Sequence, residues 1–135
     1  MTRFAIDAPV ALRLAQDGAT LGAEHQLVGP GSLRSDLLSL LYGQVRSGEL
    51  EERAALELLD RSASLTMRLL ADRVSRRVAW RIATELGLPD THLAEYVAVA
   101  TLQADVLVTD GSELTRAAGP YVRATGWTEL ATVLA

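Results

Sequence analysis

Apolar positions along the chain gather into short runs, separated by stretches whose apolar residues recur at helical spacing. "RFAID", residues 3–7, reads as a buried strand that ends abruptly on a carboxylate. "PVALRLAQDG" follows as a helix stopped by Gly18, and "HQLVGP", residues 25–30, offers a short second strand. From Ser32, the spacing of Leu33, Leu37, Leu40 and Leu41 draws one apolar helical face running toward Gly48. "LEERAALELLDRSA" gives another helix, with Glu51 and Glu52 in its first turn. "SLTMRLL", residues 64–70, fits either a short strand or a loop, and Val74, Val78 and Ile82 mark a helix that stops near Gly87. "THLAEYVAVATLQA" is a helix with Thr91 as its N-cap, followed by "DVLVTD", the clearest strand pattern in the chain. The tail adds a short helix near 112–118, a strand at 121–124 and a last helix from about Thr128.

Short apolar strands alternating with helices predict an α/β fold around a parallel sheet. In open sheets of this kind, sites gather outside the carboxyl ends of the strands. Asp7 ends the first strand and Asp110 ends "DVLVT", so two carboxylates are expected at one sheet edge. The length of 135 residues, 49% of them hydrophobic, suits a single domain over residues 1–135 with one core and no room for a second.

Composition narrows the chemistry. Zero cysteines remove disulfides, thiolate zinc sites and cysteine nucleophiles, and two histidines, His25 and His92, leave little for imidazole chemistry. Any metal would sit on oxygen ligands. All 13 basic residues are arginine, which excludes a Walker-type phosphate lysine, a Schiff base and the lysine of a phospho-receiver domain. With a net charge of −4, the molecule as a whole does not attract nucleic acid, so RNA binding needs a local basic patch. No apolar run reaches the roughly 18 residues of a membrane span, and the N-terminus has no basic segment followed by an apolar one. A soluble, cytoplasmic protein is expected.

Three stretches, "FAIDAPVALRL", "LRSDLLSLLYGQVRSGEL" and "AEYVAVATLQADVLVTDGSEL", stand in the order and spacing of the PIN-domain proteins, and the chain resembles the VapC-like toxins among them over nearly its whole length. The resemblance implies a three-layer α/β/α domain with a central parallel sheet of four to five strands. It also implies a ribonuclease dependent on Mg²⁺ or Mn²⁺, usually dimeric, held silent by a small antitoxin protein. Asp7 matches the first acid of the family's site and Asp36 the second, which is usually Glu. The third position is Leu93, three residues before Tyr96, and the fourth is Gly111, with Asp110 one place early. Two of four positions therefore depart from the pattern. Asp90, one turn before Leu93, is preferred as a substitute to Glu95, which helical geometry sets about 160° around from Leu93 and toward solvent. The metal set implied is Asp7, Asp36, Asp110 and Asp90, with Asp7, Asp36 and Asp110 catalytic.

Such acids have a chemical reason to cluster, because hard divalent cations take oxygen ligands and phosphodiester cleavage uses the cation to activate water and offset phosphate charge. Each acid also has an ordinary structural explanation. Asp7 suits a helix N-cap, Asp36 a solvated helix face, Asp110 an Asp-Gly turn and Asp90 a loop. Thr109 and Ser112 fit either a phosphate or a helix cap. Arg73, Arg77 and Arg81 recur every four residues with Arg76 beside them, a stripe suited to an RNA backbone, an acidic antitoxin segment or a solvated face paired with Glu and Asp. Trp80 and Trp127 fit core or interface filling, or stacking on bases. Leucine and alanine faces on several helices lead to the expectation of a homodimer. A second function stands beside the nuclease: a PIN-fold protein that keeps antitoxin or RNA contacts without cleaving.

Overall fold

The structure, a computed structural model, describes residues 1–134. Its strands are β1 (Thr2–Ile6), β2 (His25–Pro30), β3 (Arg68–Leu70), β4 (Val106–Val108) and β5 (Ala124–Thr125). All pair in parallel, in the order β3-β2-β1-β4-β5. Phe4, Ala5 and Ile6 of β1 and all of β4 are buried, as expected of central strands covered on both faces. The helices are α1 (Ala8–Asp17), α2 (Leu33–Arg46), α3 (Glu52–Ala63), α4 (Arg73–Leu86), α5 (His92–Gln103), α6 (Ser112–Ala118) and α7 (Trp127–Ala131). α1, α2 and α3 pack on one another, while α5 packs on α4, α6 and the central strands. Right-handed crossovers place these two groups on opposite faces of the sheet, giving three α/β/α layers.

Local chemistry sets the element ends. Pro9 stands in the first turn of α1, where its missing N–H is no loss, and Gly18 ends that helix at φ 61° with its N–H on the Ala15 carbonyl. Leu33, Leu37 and Leu41 of α2 are buried, and Leu40 is half-buried against the core. Arg34 crosses to the end of α3, donating to the carbonyls of Ser62 and Leu65 at 3.0 and 3.2 Å.

The structure corrects one sequence expectation, the bounds of the last strand, and refines three others. The ambiguous stretch 64–70 yields a strand only at Arg68–Leu70, and the last strand is Ala124–Thr125, since Tyr121 and Val122 sit in a turn bonded to the Ala118 carbonyl. On α4 the buried face is Ser75, Ala79, Ile82 and Ala83, while Val74 stays 57% exposed. The helix itself stands as expected, with Ile82 in the core, Val78 packed against it and Val74 left outside. Thr91 makes no side-chain cap bond on α5, and Asp90 Oδ1 accepts from the His92 N–H at 3.1 Å instead.

Candidate functional site

Strand order reverses direction at β1, which has β2 on one side and β4 on the other. Ligands of open α/β sheets bind at such a switch point, outside the carboxyl ends of the strands. Ile6 is level with Val108, so Asp7 and Thr109 leave the sheet side by side. Both are buried, and Thr109 Oγ1 donates to Asp7 Oδ2 while accepting from the Gly111 N–H at 3.0 Å. Asp7 is also the N-cap of α1, its Oδ1 accepting from the Val10 N–H at 3.0 Å. Burial raises the Asp7 carboxyl above its ordinary pKa; the Thr109 and Val10 hydrogen bonds oppose that shift and the charge of Asp110 adds to it.

Asp36 lies in the first turn of α2, just after the carboxyl end of β2, and its Oδ2 accepts a 2.7 Å hydrogen bond from Tyr96 Oη. Tyr96 is buried on α5. Burial first, then its bond to Asp36 and the charges of Asp36, Asp7 and Glu95, push its hydroxyl well above the ordinary tyrosine range. Tyr96 is therefore the group that links α5 to the acid of α2. It stands one turn after Leu93, a helical neighbour that the sequence pattern already contained.

The remaining acids have other engagements. Asp110 is exposed, and its Oδ1 accepts from the Trp127 N–H at 3.1 Å at the start of α7. Gly126 permits this approach, because a Cβ there would stand 2.5 Å from Asp110 Oδ1. Trp127 is itself held beneath the guanidinium of Arg13, 4.4 Å from the ring centroid. Asp90 is exposed and caps α5. Leu93 is half-buried against the core and offers no oxygen.

Glu95 does not face open solvent, which corrects the helical-wheel reading. It is half-buried and lines a cavity of about 290 Å³ with Pro30, Gly31, Ser32 and Arg76, at the carboxyl ends of β2 and β3. A wheel gives angles about a helix axis but not which neighbours cover that angle, and here α4 and the end of β2 do.

A divalent cation needs several oxygens converging on one point. Among the described residues no three His, Cys, Asp or Glu side chains form such a group. Asp7, Asp36 and Glu95 all act on the Tyr96 hydroxyl, but charge acts at longer range than coordination, so that influence does not make a ligand set. In this arrangement the donors do not fit a metal site of the kind the PIN resemblance implies.

Comparisons with known proteins agree on the fold. The crystal structure of PAE2754 from Pyrobaculum aerophilum superposes with a TM-score of 0.67 at 22% identity, covering 91% of this chain and 89% of that one. The crystal structure of VapBC2 from Rickettsia felis, bound to a DNA fragment from its promoter, gives a TM-score of 0.66 at 11% identity, covering 93% and 98%. No protein-family model and no curated protein sequence matches the chain.

Proposed function

We propose, from the PIN-like three-layer α/β/α fold that the chain carries, that it is a toxin-type PIN protein that binds RNA and a small antitoxin, with its nuclease site weakened or silent. The observation that supports this reading is the engagement of the acids by protein donors. Asp36 is held by Tyr96, Asp110 by the start of α7, and Asp7 by Thr109 and Val10, while Leu93 and Gly111 supply no carboxylate. Purified protein incubated with labelled RNA and Mg²⁺ or Mn²⁺ should bind RNA equally well with or without EDTA and cleave it slowly or not at all.

One feature favours the second reading, an endoribonuclease dependent on Mg²⁺ or Mn²⁺. Asp7 and Asp36 stand just beyond the carboxyl ends of β1 and β2, and the charges of both reach the Tyr96 hydroxyl, so the two acids that match the family's site share one sheet edge. EDTA-sensitive cleavage that is lost in Asp7→Asn would decide for this reading. Both readings place the protein in the cytoplasm, where its RNA is; none of the described helices is long and apolar enough to cross a membrane.

A homodimer belongs to the same proposal. Leu38 and Tyr42 lie one turn apart on α2, which packs beside α3 with its Leu56, and the three are 50%, 67% and 55% exposed. Apolar side chains left this open on adjacent helices gain by burial against a twin. Light scattering at micromolar concentration should give a dimer for the native chain and a monomer for Tyr42→Arg. A clean native monomer would refute it.

A further inference from the structure

We propose that the exposed face of α4 is a docking surface for single-stranded RNA. Arg73, Arg76, Arg77, Trp80 and Arg81 fall within an arc of roughly 140° on that helix, with Trp80 near its middle. All five are exposed, and Trp80 retains 73% of its surface. Among the described residues none of these four arginines joins an ion pair.

Stability does not explain such a face. Three of the arginines stand in the first two turns of α4, the end where the helix dipole disfavours cations, with Asp72 at the N-cap as the one acid there. Arg73 with Arg77, and Arg77 with Arg81, are like charges four residues apart, a spacing that weakens a helix. The arrangement costs the free protein stability and concentrates positive charge on a molecule whose net charge is −4. A polyanion would repay that cost.

The indole selects the polyanion. Arginine clusters take acidic peptides as well as phosphates, and what favours RNA here is the large apolar surface at the middle of the cluster, that of Trp80. An exposed indole among guanidinium groups suits unpaired bases, which stack on the ring while the arginines hold successive phosphates. Arg73, Arg77 and Arg81 follow one another at about 6 Å along the axis, four residues of helical rise each. The track also leads to the site, because Arg76 lines the cavity with Glu95 and Ser32, and Ser32 immediately precedes the helix that carries Asp36.

This proposal rests on the reading that the chain handles RNA, and the test separates the two. Binding of a fluorescein-labelled oligouridine is followed by anisotropy over a series of salt concentrations. Three proteins are compared: the native chain, Arg73→Ala/Arg77→Ala/Arg81→Ala, and the charge-matched control Arg46→Ala/Arg53→Ala/Arg61→Ala on α2 and α3. The α4 variant should lose affinity at least tenfold. Its plot of log affinity against log salt should be shallower by about 2, from roughly 0.7 per phosphate contact of a single strand. The control should bind within about twofold of native. Trp80→Ala should weaken binding roughly tenfold with little change in salt slope, since stacking releases no counterions. Every substituted side chain is exposed, and circular dichroism checks that the fold is kept. If the native chain binds no RNA at low salt, both this proposal and the RNA part of the functional reading fail. If it binds RNA but the α4 variant matches native or the control, the docking surface alone is overturned. If polyglutamate binds in an α4-dependent way where oligouridine does not, the face serves an acidic protein and the proposal is likewise overturned.

Discussion

A chain carrying both Leu93→Asp and Gly111→Asp should bind Mn²⁺ at least roughly tenfold more tightly than the native chain, a gain of about 1.4 kcal/mol. At position 111 the backbone, φ −78° and ψ 125°, is ordinary for any residue, and a Cβ there has only Thr109 Oγ1 nearby, at 3.4 Å. A carboxylate therefore enters without steric cost, next to the Thr109 hydroxyl that already meets Asp7. Leu93 stands one turn before Tyr96, whose hydroxyl is on Asp36, so an acid there joins the same cluster. Losing the half-buried leucine costs about 1–2 kcal/mol of stability, which the fold should survive. Two added charges near a divalent cation contribute more than enough attraction for the predicted gain, even at the screening of a protein surface. Calorimetric titration with Mn²⁺ reads the affinity, and RNA cleavage with an EDTA control reads the consequence. Unchanged affinity in a double variant that melts like a folded protein would show that positions 93 and 111 do not face the switch point.

Much of this architecture is legible in the residue pattern because its causes are local. β2 falls on "HQLVGP" and α6 on 112–118, where turn residues and apolar spacing already mark them. The adjacency of β1 and β4 follows from two apolar runs, each closed by an acid and a helix. What the pattern misses is tertiary. Val74 resembles a core position by spacing, yet it stays exposed while Ser75 and Ala79 of the same helix are buried. Glu95 looks solvent-facing on an isolated helix and lines a cavity in the assembled one. Trp127 suits the core and is there, but Trp80, equally apolar, is left outside by α4.

The candidate site divides along the same line. Asp7 and Asp36 are legible as acids at strand and helix ends, and the departures at Leu93 and Gly111 are visible at once. The partners that engage the acids are not legible, because Tyr96 meets Asp36 across 60 positions of sequence and Thr109 meets Asp7 across 102. Only the sheet order brings them together. Asp110 illustrates the point further: its Asp-Gly turn is evident locally, but its carboxylate is held by the start of α7, 17 residues on.

Replacing Asp7 should separate its structural part from its electrostatic cost, with opposite outcomes for two variants. The folded protein raises the Asp7 pKa, chiefly by burial, so the folded state holds that proton more tightly than the unfolded chain. For an acid shifted upward, the penalty is absent below the unfolded value near 3.8, grows as pH rises through the folded pKa and is complete above it. Asp7→Asn removes the charge and keeps the shape. Its amide oxygen can cap α1 at the Val10 N–H, and its NH₂ can donate to Thr109 Oγ1, whose hydroxyl hydrogen then turns elsewhere. Asp7→Asn should therefore melt at a higher temperature than the native chain at pH 7.5, with the difference shrinking toward zero as pH falls to about 4. Asp7→Ala should do the reverse. It loses a cap worth about 1 kcal/mol and strands a buried hydroxyl and an N–H, for a further cost of about 1–3 kcal/mol. Thermal melts of the three proteins between pH 4 and 8 decide the matter. If the advantage of Asp7→Asn instead grows toward low pH, or both variants fall together at neutral pH, then the carboxylate charge is stabilised by its surroundings. Asp7 would then be an ordinary ionised cap and not a buried acid held at the switch point against its solvation.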